Sequence, residues 1–282
     1  MKNILTFDVE EWFQVANLKA AIRFDEWESF PSRLDEPLSF ILDLLEKNGV
    51  CATFFILGWL AERRPGAVRM IRGRGHEIAT HGYSHSLIYE QEKEEFAMDL
   101  RRSIEAIGEA DGGDVVGHRA ACFSITDESR WALDVLLDNG ILYDSSVFPI
   151  RHHRYGIVDS PRHPYVILRK GSRRLVEFPL STVKLGPANL PVGGGGYFRL
   201  FPYFFTRLSL RRINAAGHPA VVYLHPWEFD EGIPRVRGIG AINRFRHYVN
   251  IGRSRARLCR LLGDFEFETM GEALGRYADL PS

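Results

Sequence analysis

Two imidazoles four positions apart, in His81-Gly82-Tyr83-Ser84-His85, are the sharpest chemical feature of this 282-residue chain. Where a strand turns into a helix, residues at that spacing can face one metal, and two histidines with one carboxylate leave a coordination position open for water. Asp8 and Glu10 offer that carboxylate. As alternate residues of a strand they point the same way, so one can bind metal while the other acts as base. Arg119 is suited to orient a neighbouring carboxylate and keep it ionised through a bidentate contact. His225, in His225-Pro226-Trp227-Glu228, follows an apolar run. With a carboxylate partner such a histidine is protonated near neutral pH and suits a general acid. Each residue also has a plainer reading: two surface histidines, a solvated acidic turn at Asp8 to Glu11, a strand-end arginine, a structural histidine, and Asp144 before Ser145-Ser146 as a turn former.

Shared position is what lifts these residues above their plainer readings. Short apolar runs rich in β-branched and aromatic residues alternate with helix-period segments, the pattern of βα units and a mostly parallel sheet. Strands are expected at 3–9, 52–57, 76–80, 115–120, 141–145, 176–180, 220–224 and 265–269, and helices at 38–45, 67–72, 92–110, 128–138, 201–216 and 245–262. Residues 149–174 read as a loop excursion or small hairpin. Asp8, His81, Arg119, Asp144 and His225 each fall at a strand end. Seven or so such units suggest an α/β fold, a (β/α) barrel of 7–8 strands that need not close, with a doubly wound open sheet as the alternative; both gather strand ends on one functional face.

Lys and Arg number 36 and Asp and Glu 36, so net charge gives no case for nucleic acid or an anionic membrane. Cys51, Cys122 and Cys259 have no zinc or disulfide spacing, which points to a reducing compartment. The apolar run before Asp8 is too short for a signal peptide, and no stretch is long enough to span a membrane, so a cytoplasmic location is expected. Gly193 to Gly196 lets backbone approach a ligand but lacks phosphate-loop spacing. The basic stretch from Asp230 to Gly263 reads as an insertion with a solvated helix face.

The order TFDVE, HGYSH, GHRAACFS, YDSS, LHPWE resembles the NodB-type polysaccharide deacetylases, carbohydrate esterase family 4, over Leu5 to Leu274. FDVEEWF, PVGGGGYFRLFPY, HPWEFD and FRHYVN resemble the subfamily found with exosortase and exopolysaccharide loci. The resemblance implies a single domain over 1–282 with a distorted barrel of seven or eight strands, and a divalent metal, zinc first, held by Glu10, His81 and His85. It further implies Asp8 as base steadied by Arg119, His225 as acid tuned by Asp144, and removal of N-acetyl groups from an amino-sugar polysaccharide or its lipid-linked precursor. The substrate would be met at the inner membrane face, beside a polysaccharide-assembly system. A backbone N–H near Cys122 would serve the oxyanion, and Gly195 would border the substrate. Trp12, Tyr197, Phe198 and Trp227 would stack on sugar rings, unless they are core. Arg235, Arg237 and Arg244 would meet anionic sugars or phosphate. Three departures stand out: Val9 separates the two acids of the first motif, Gly82 replaces a Ser or Thr, and Ala121-Cys122 replaces Pro-Ser. The competing readings are a hydrolase of small cyclic amides, resembling allantoinase, and a glycan-binding module without turnover.

Overall fold

The computed structural model describes residues 1–111, 113–152 and 154–277. Its strands are β1 (Asn3–Val9), β2 (Thr53–Ile56), β3 (Glu77–Thr80), β4 (Gly117–His118), β5 (Tyr143–Asp144), β6 (Tyr165–Lys170), β7 (Arg173–Glu177), β8 (Thr182–Leu185), β9 (Ala188–Pro191), β10 (Val221–Leu224) and β11 (Phe267–Glu268). Nine of them form one curled sheet in the order β10-β1-β2-β3-β4-β5-β7-β6, with β11 beside β1. Eight are parallel to their neighbours, and only the β6–β7 pair is antiparallel. The result is a half-barrel. Every residue of β1 is buried, which is why NILTFDV is a nearly continuous apolar run rather than an alternating one.

The flanking helices follow their apolar spacing. In the helix Asp35–Lys47, Leu38, Ile41, Leu42 and Leu45 turn one stripe to the core. One expected helix is divided, and the one expected at 201–216 is preceded by a further short helix. Pro202 separates Gly195–Leu200 from Tyr203–Ala215, because proline cannot donate the next helical hydrogen bond. In the basic stretch, Ala241–Tyr248 and Ser254–Asp264 are parted at Asn250, whose φ is +52°. Residues 149–174 include β6, the first arm of a hairpin with β7; the strand expected at 176–180 begins at Arg173 and ends before Phe178-Pro179.

The sheet edges β10 and β6 are not paired to each other. The face of β10 turned away from β1 is covered instead by an irregular segment: Ser181 Oγ accepts from the Val221 N–H at 2.7 Å, and Gly193 O accepts from the Tyr223 N–H at 2.8 Å. This contact explains Gly193 and Gly194 of the glycine run. A Cβ on Gly194, at φ +146°, would lie 1.8 Å from the Tyr223 carbonyl oxygen, so no other residue fits there.

His76, just before β3, is a buried histidine outside the strand-end set. His76 is 3% exposed, and burial, with Arg74 beside it, lowers its pKa to about 4. The unfolded chain therefore takes up this proton first as pH falls. The stabilisation is complete above about pH 6.5 and shrinks by about 2 kcal/mol by pH 5. Urea melts between pH 7.5 and 5 should show this loss, and His76→Gln should flatten it. A slope unchanged in the variant would assign the loss to other groups.

Candidate metal and catalytic site

The C-terminal strand ends do converge. Asp8, Glu10, His81, His85 and His225 border one cavity of about 300 Å³, with Cys122, Gly195, Tyr197 and Trp227 in its walls. Arg119 lies behind them with no exposure. Its Nη1 donates to Asp8 Oδ1 at 2.6 Å and to Thr6 Oγ1 at 2.8 Å, while Nε and Nη2 donate to Ser145 O and Oγ. The expected bidentate grip on Asp8 is thus a single charge-assisted bond. The other donors of the guanidinium fork are spent on positioning, and Asp8 Oδ2 is left facing the cavity, 3.8 Å from His225 Nε2.

Glu10, His81 and His85 form the one group of three or more potential metal ligands among the described residues, with ligand atoms all within 4.8 Å of one another. His81 Nδ1 lies 2.7 Å from the Arg119 carbonyl oxygen, which only accepts, so this nitrogen carries the proton. The other nitrogens, His81 Nε2 and His85 Nε2, sit 3.2 and 3.0 Å from the same Glu10 oxygen, Oε1. With its proton on Nδ1, His81 turns an acceptor nitrogen toward the acceptor Glu10 Oε1, an arrangement suited to a cation between them. Burial would raise the Glu10 carboxyl, yet His85, His81 and His225 hold it well below the usual carboxylate range. Two imidazoles and an ionised carboxylate, one imidazole oriented through its far nitrogen, fit a divalent ion of the zinc type.

The His81–His85 loop is braced without the hydroxyl that Gly82 lacks. Asp99 accepts from the N–H groups of Tyr83 and Ser84 and from Ser84 Oγ, and Ser103 Oγ donates to Gly82 O. Gly82 has φ +75° and His85 φ +54°, so the loop turns through the left-handed region twice to aim the second imidazole. Asp99 and Ser103 carried no signal in the sequence, since they lie on the following helix and meet the loop only through its packing.

His225 Nδ1 contacts Glu228 Oε1 at 2.7 Å. Burial alone would lower the His225 pKa, but Glu228, with Glu10 and Asp8, raises it to about 9, so the ring is protonated near neutrality. Its partner is therefore Glu228, not Asp144. Asp144 instead contacts His118 Nδ1 at 2.7 Å and accepts from Ser146, fully buried beneath the site. That network sets the β4–β5 strand ends, and the tuning role expected for Asp144 does not hold. Glu228 lies three positions after His225, and a short turn after β10 brings them together.

Aromatic expectations divide. Trp227 borders the cavity between the rings of His225 and His247, and Tyr197 is a cavity residue. Trp12 and Phe198 are core: Trp12 is 5% exposed, packs on Phe13 and Phe30, and donates to Pro31 O, while Phe198 is 1% exposed. Cys122 and Phe123 both adopt positive φ, +52° and +56°, which turns the chain along the cavity wall. Burial pushes the Cys122 thiol up to about 12, which rules out a thiolate nucleophile at neutral pH. Arg235 lies over the Tyr248 ring, and Arg237 and Arg244 are not cavity residues. The arginines that do border it are Arg154, Arg199 and Arg246.

Residues 19–136 match the family model described as polysaccharide deacetylase. Residues 145–275 match a domain of unknown function, DUF3473. Over residues 19–136 the chain is thus similar to the polysaccharide deacetylases. Within the deacetylase match lie His81, His85 and Arg119; Asp8 and Glu10 precede it, and His225 and Glu228 fall in the second match. A peptidoglycan-N-acetylglucosamine deacetylase of Bacillus cereus is 36% identical over 72 residues, 26% of each chain. A chitooligosaccharide deacetylase of Rhizobium leguminosarum bv. trifolii is 32% identical over 96 residues, 34% of this chain and 42% of the relative. The chain thus spans well under half the length of these relatives. Among solved structures, a polysaccharide deacetylase described as putative from Mycobacterium smegmatis superposes with TM-score 0.64 at 20% identity, covering 98% of this chain and 90% of that one. One described as probable from Pseudomonas aeruginosa PAO1 gives 0.58 at 16%, covering 97% and 90%. Both share the half-barrel fold.

Proposed function

We propose that this chain is a polysaccharide deacetylase that hydrolyses the N-acetyl group of an amino sugar in a polysaccharide or its lipid-linked precursor, using a divalent metal, zinc first, held by Glu10, His81 and His85. The observation that carries this reading is the placement of Asp8 beside the buried ligand set but outside it, fixed by Arg119 and opposite a protonated His225. A divalent cation in the set would supply Lewis acidity to the acetyl carbonyl and acidify a water. Asp8 takes the proton as that water attacks the carbonyl carbon. The backbone N–H at the Cys122 turn supports the oxyanion, a kind of contact worth about 3 kcal/mol per donor. His225, held by Glu228, gives its proton to the nitrogen as the C–N bond breaks, leaving acetate and a free amine. The four subfamily strings support an exopolysaccharide setting at the inner membrane face; no helix among the described residues is long and apolar enough to cross a membrane.

The test is acetate release from N-acetylglucosamine oligomers by protein stripped with a chelator and reloaded with zinc, manganese, cobalt or nickel. Activity that returns with metal supports the reading. Failure to release acetate with any of the four sinks it, and turnover of allantoin instead would favour the cyclic-amide alternative.

A further inference from the structure

The cavity holds more positive charge than the proposed reaction uses. Asp8 is matched by Arg119, Glu228 by His225 and by Arg199 Nε at 3.5 Å, and Glu10 by the cation its histidines call for. Arg199 is further committed, donating to the carbonyls of Arg246, His247 and Val249. Arg154 and Arg246 also border the cavity, and among the described residues neither guanidinium has a carboxylate within 4.0 Å or a hydrogen-bond acceptor.

Both are held in place by their backbones. Arg154 lies on a loop fixed by the stack of His152 on Tyr155 at 3.9 Å, with Tyr155 stacked in turn on Phe148. Arg246 lies on the helix Ala241–Tyr248, which the buried Arg199 ties to the cavity wall through the Arg246 carbonyl. The surrounding chain is biased the same way: from Phe178 to Gly263 there are 13 Lys and Arg against three Asp and Glu, in a protein of zero net charge. A neutral glycan offers such a pair hydroxyl acceptors but no counter-charge.

We infer that Arg154 and Arg246 form an anion subsite, and that the substrate carries a carboxylate or phosphate group next to the N-acetylated sugar. The inference rests on the glycan reading of the site but not on turnover. Guanidinium groups suit both anions, because each presents paired oxygens to the N–H fork. A uronic acid in the polysaccharide and the diphosphate of a nucleotide- or lipid-linked sugar are the two sources of that chemistry.

Calorimetric binding to the full-length Asp8→Asn protein, loaded with zinc, separates them without hydrolysis. The probes are hyaluronan tetrasaccharide for the carboxylate, UDP-N-acetylglucosamine for the phosphate, and chitotetraose as the neutral reference. At low salt at least one acidic probe should bind about tenfold more tightly than chitotetraose, a preference that shrinks as salt rises. Arg154→Gln with Arg246→Gln should abolish the preference, and the paired Lys substitutions should retain part of it. Equal affinities for all three probes, or a preference that survives the Gln pair, would overturn the subsite. If the preference holds while no acetate is ever released by the unsubstituted protein, the subsite stands and the hydrolytic reading falls.

Discussion

Asp8→Asn is expected to retain the metal and lose acetate release by roughly 10²- to 10⁴-fold, the range for removing a positioned general base. Asn is nearly isosteric, and its side-chain oxygen still accepts from Arg119 Nη1, while Thr6 and Ser145 keep the rest of the guanidinium in place. The substitution does leave a fully buried arginine without its counter-charge. Breaking such a pair costs about 3–5 kcal/mol when the partner is removed outright, so a lowered melting temperature accompanies the kinetic loss. Metal content separates the two effects. A variant that is folded at the assay temperature, binds metal and turns over at the original rate would refute the base role. One that loses its metal would make Asp8 a ligand and move the base role to Glu10.

His85→Ala should bring the metal content of zinc-loaded, desalted protein from about one ion per chain to near zero. Of the three proposed ligands, His85 is the one whose removal is expected to disturb the fold least. Glu10 and His81 are embedded in the strand-end network, whereas His85 ends the braced loop and its imidazole faces Glu10. Added zinc should raise the melting temperature of the original protein, since a ligand that binds only the folded state stabilises it by mass action. It should do little for the variant. Equal stoichiometry and equal thermal shifts in both proteins would place the metal elsewhere and remove the Lewis-acid part of the proposed reaction.

Much of this site was legible in the order of residues. Asp8 and His225 follow directly on apolar runs and His81 on a shorter strand-like segment, and parallel strands in a curled sheet bring their C-terminal ends to one face. The two-residue spacing of Asp8 and Glu10 and the four-residue spacing of His81 and His85 are local, so they survived the passage to three dimensions. The helix stripes at Leu38 to Leu45 did so for the same reason: periodicity is a property of the chain itself.

What the tertiary structure alone decided is who meets whom. Glu228 rather than Asp144 became the partner of His225, because a turn after β10 folds three residues back on themselves while β4 and β5 claim Asp144 for His118. Trp12 became core because the segment after β1 folds under Phe30 and the Pro31 carbonyl. Gly193 and Gly194, which offered backbone access to a ligand, are taken by β10, since the sheet stops short of closure and its last edge must be satisfied. Arg154 and Arg246 reach the cavity from segments about ninety residues apart in the sequence. No periodicity or spacing encodes such a meeting; it depends on where the basic helix packs, and that is settled by the buried Arg199 and the carbonyls it binds.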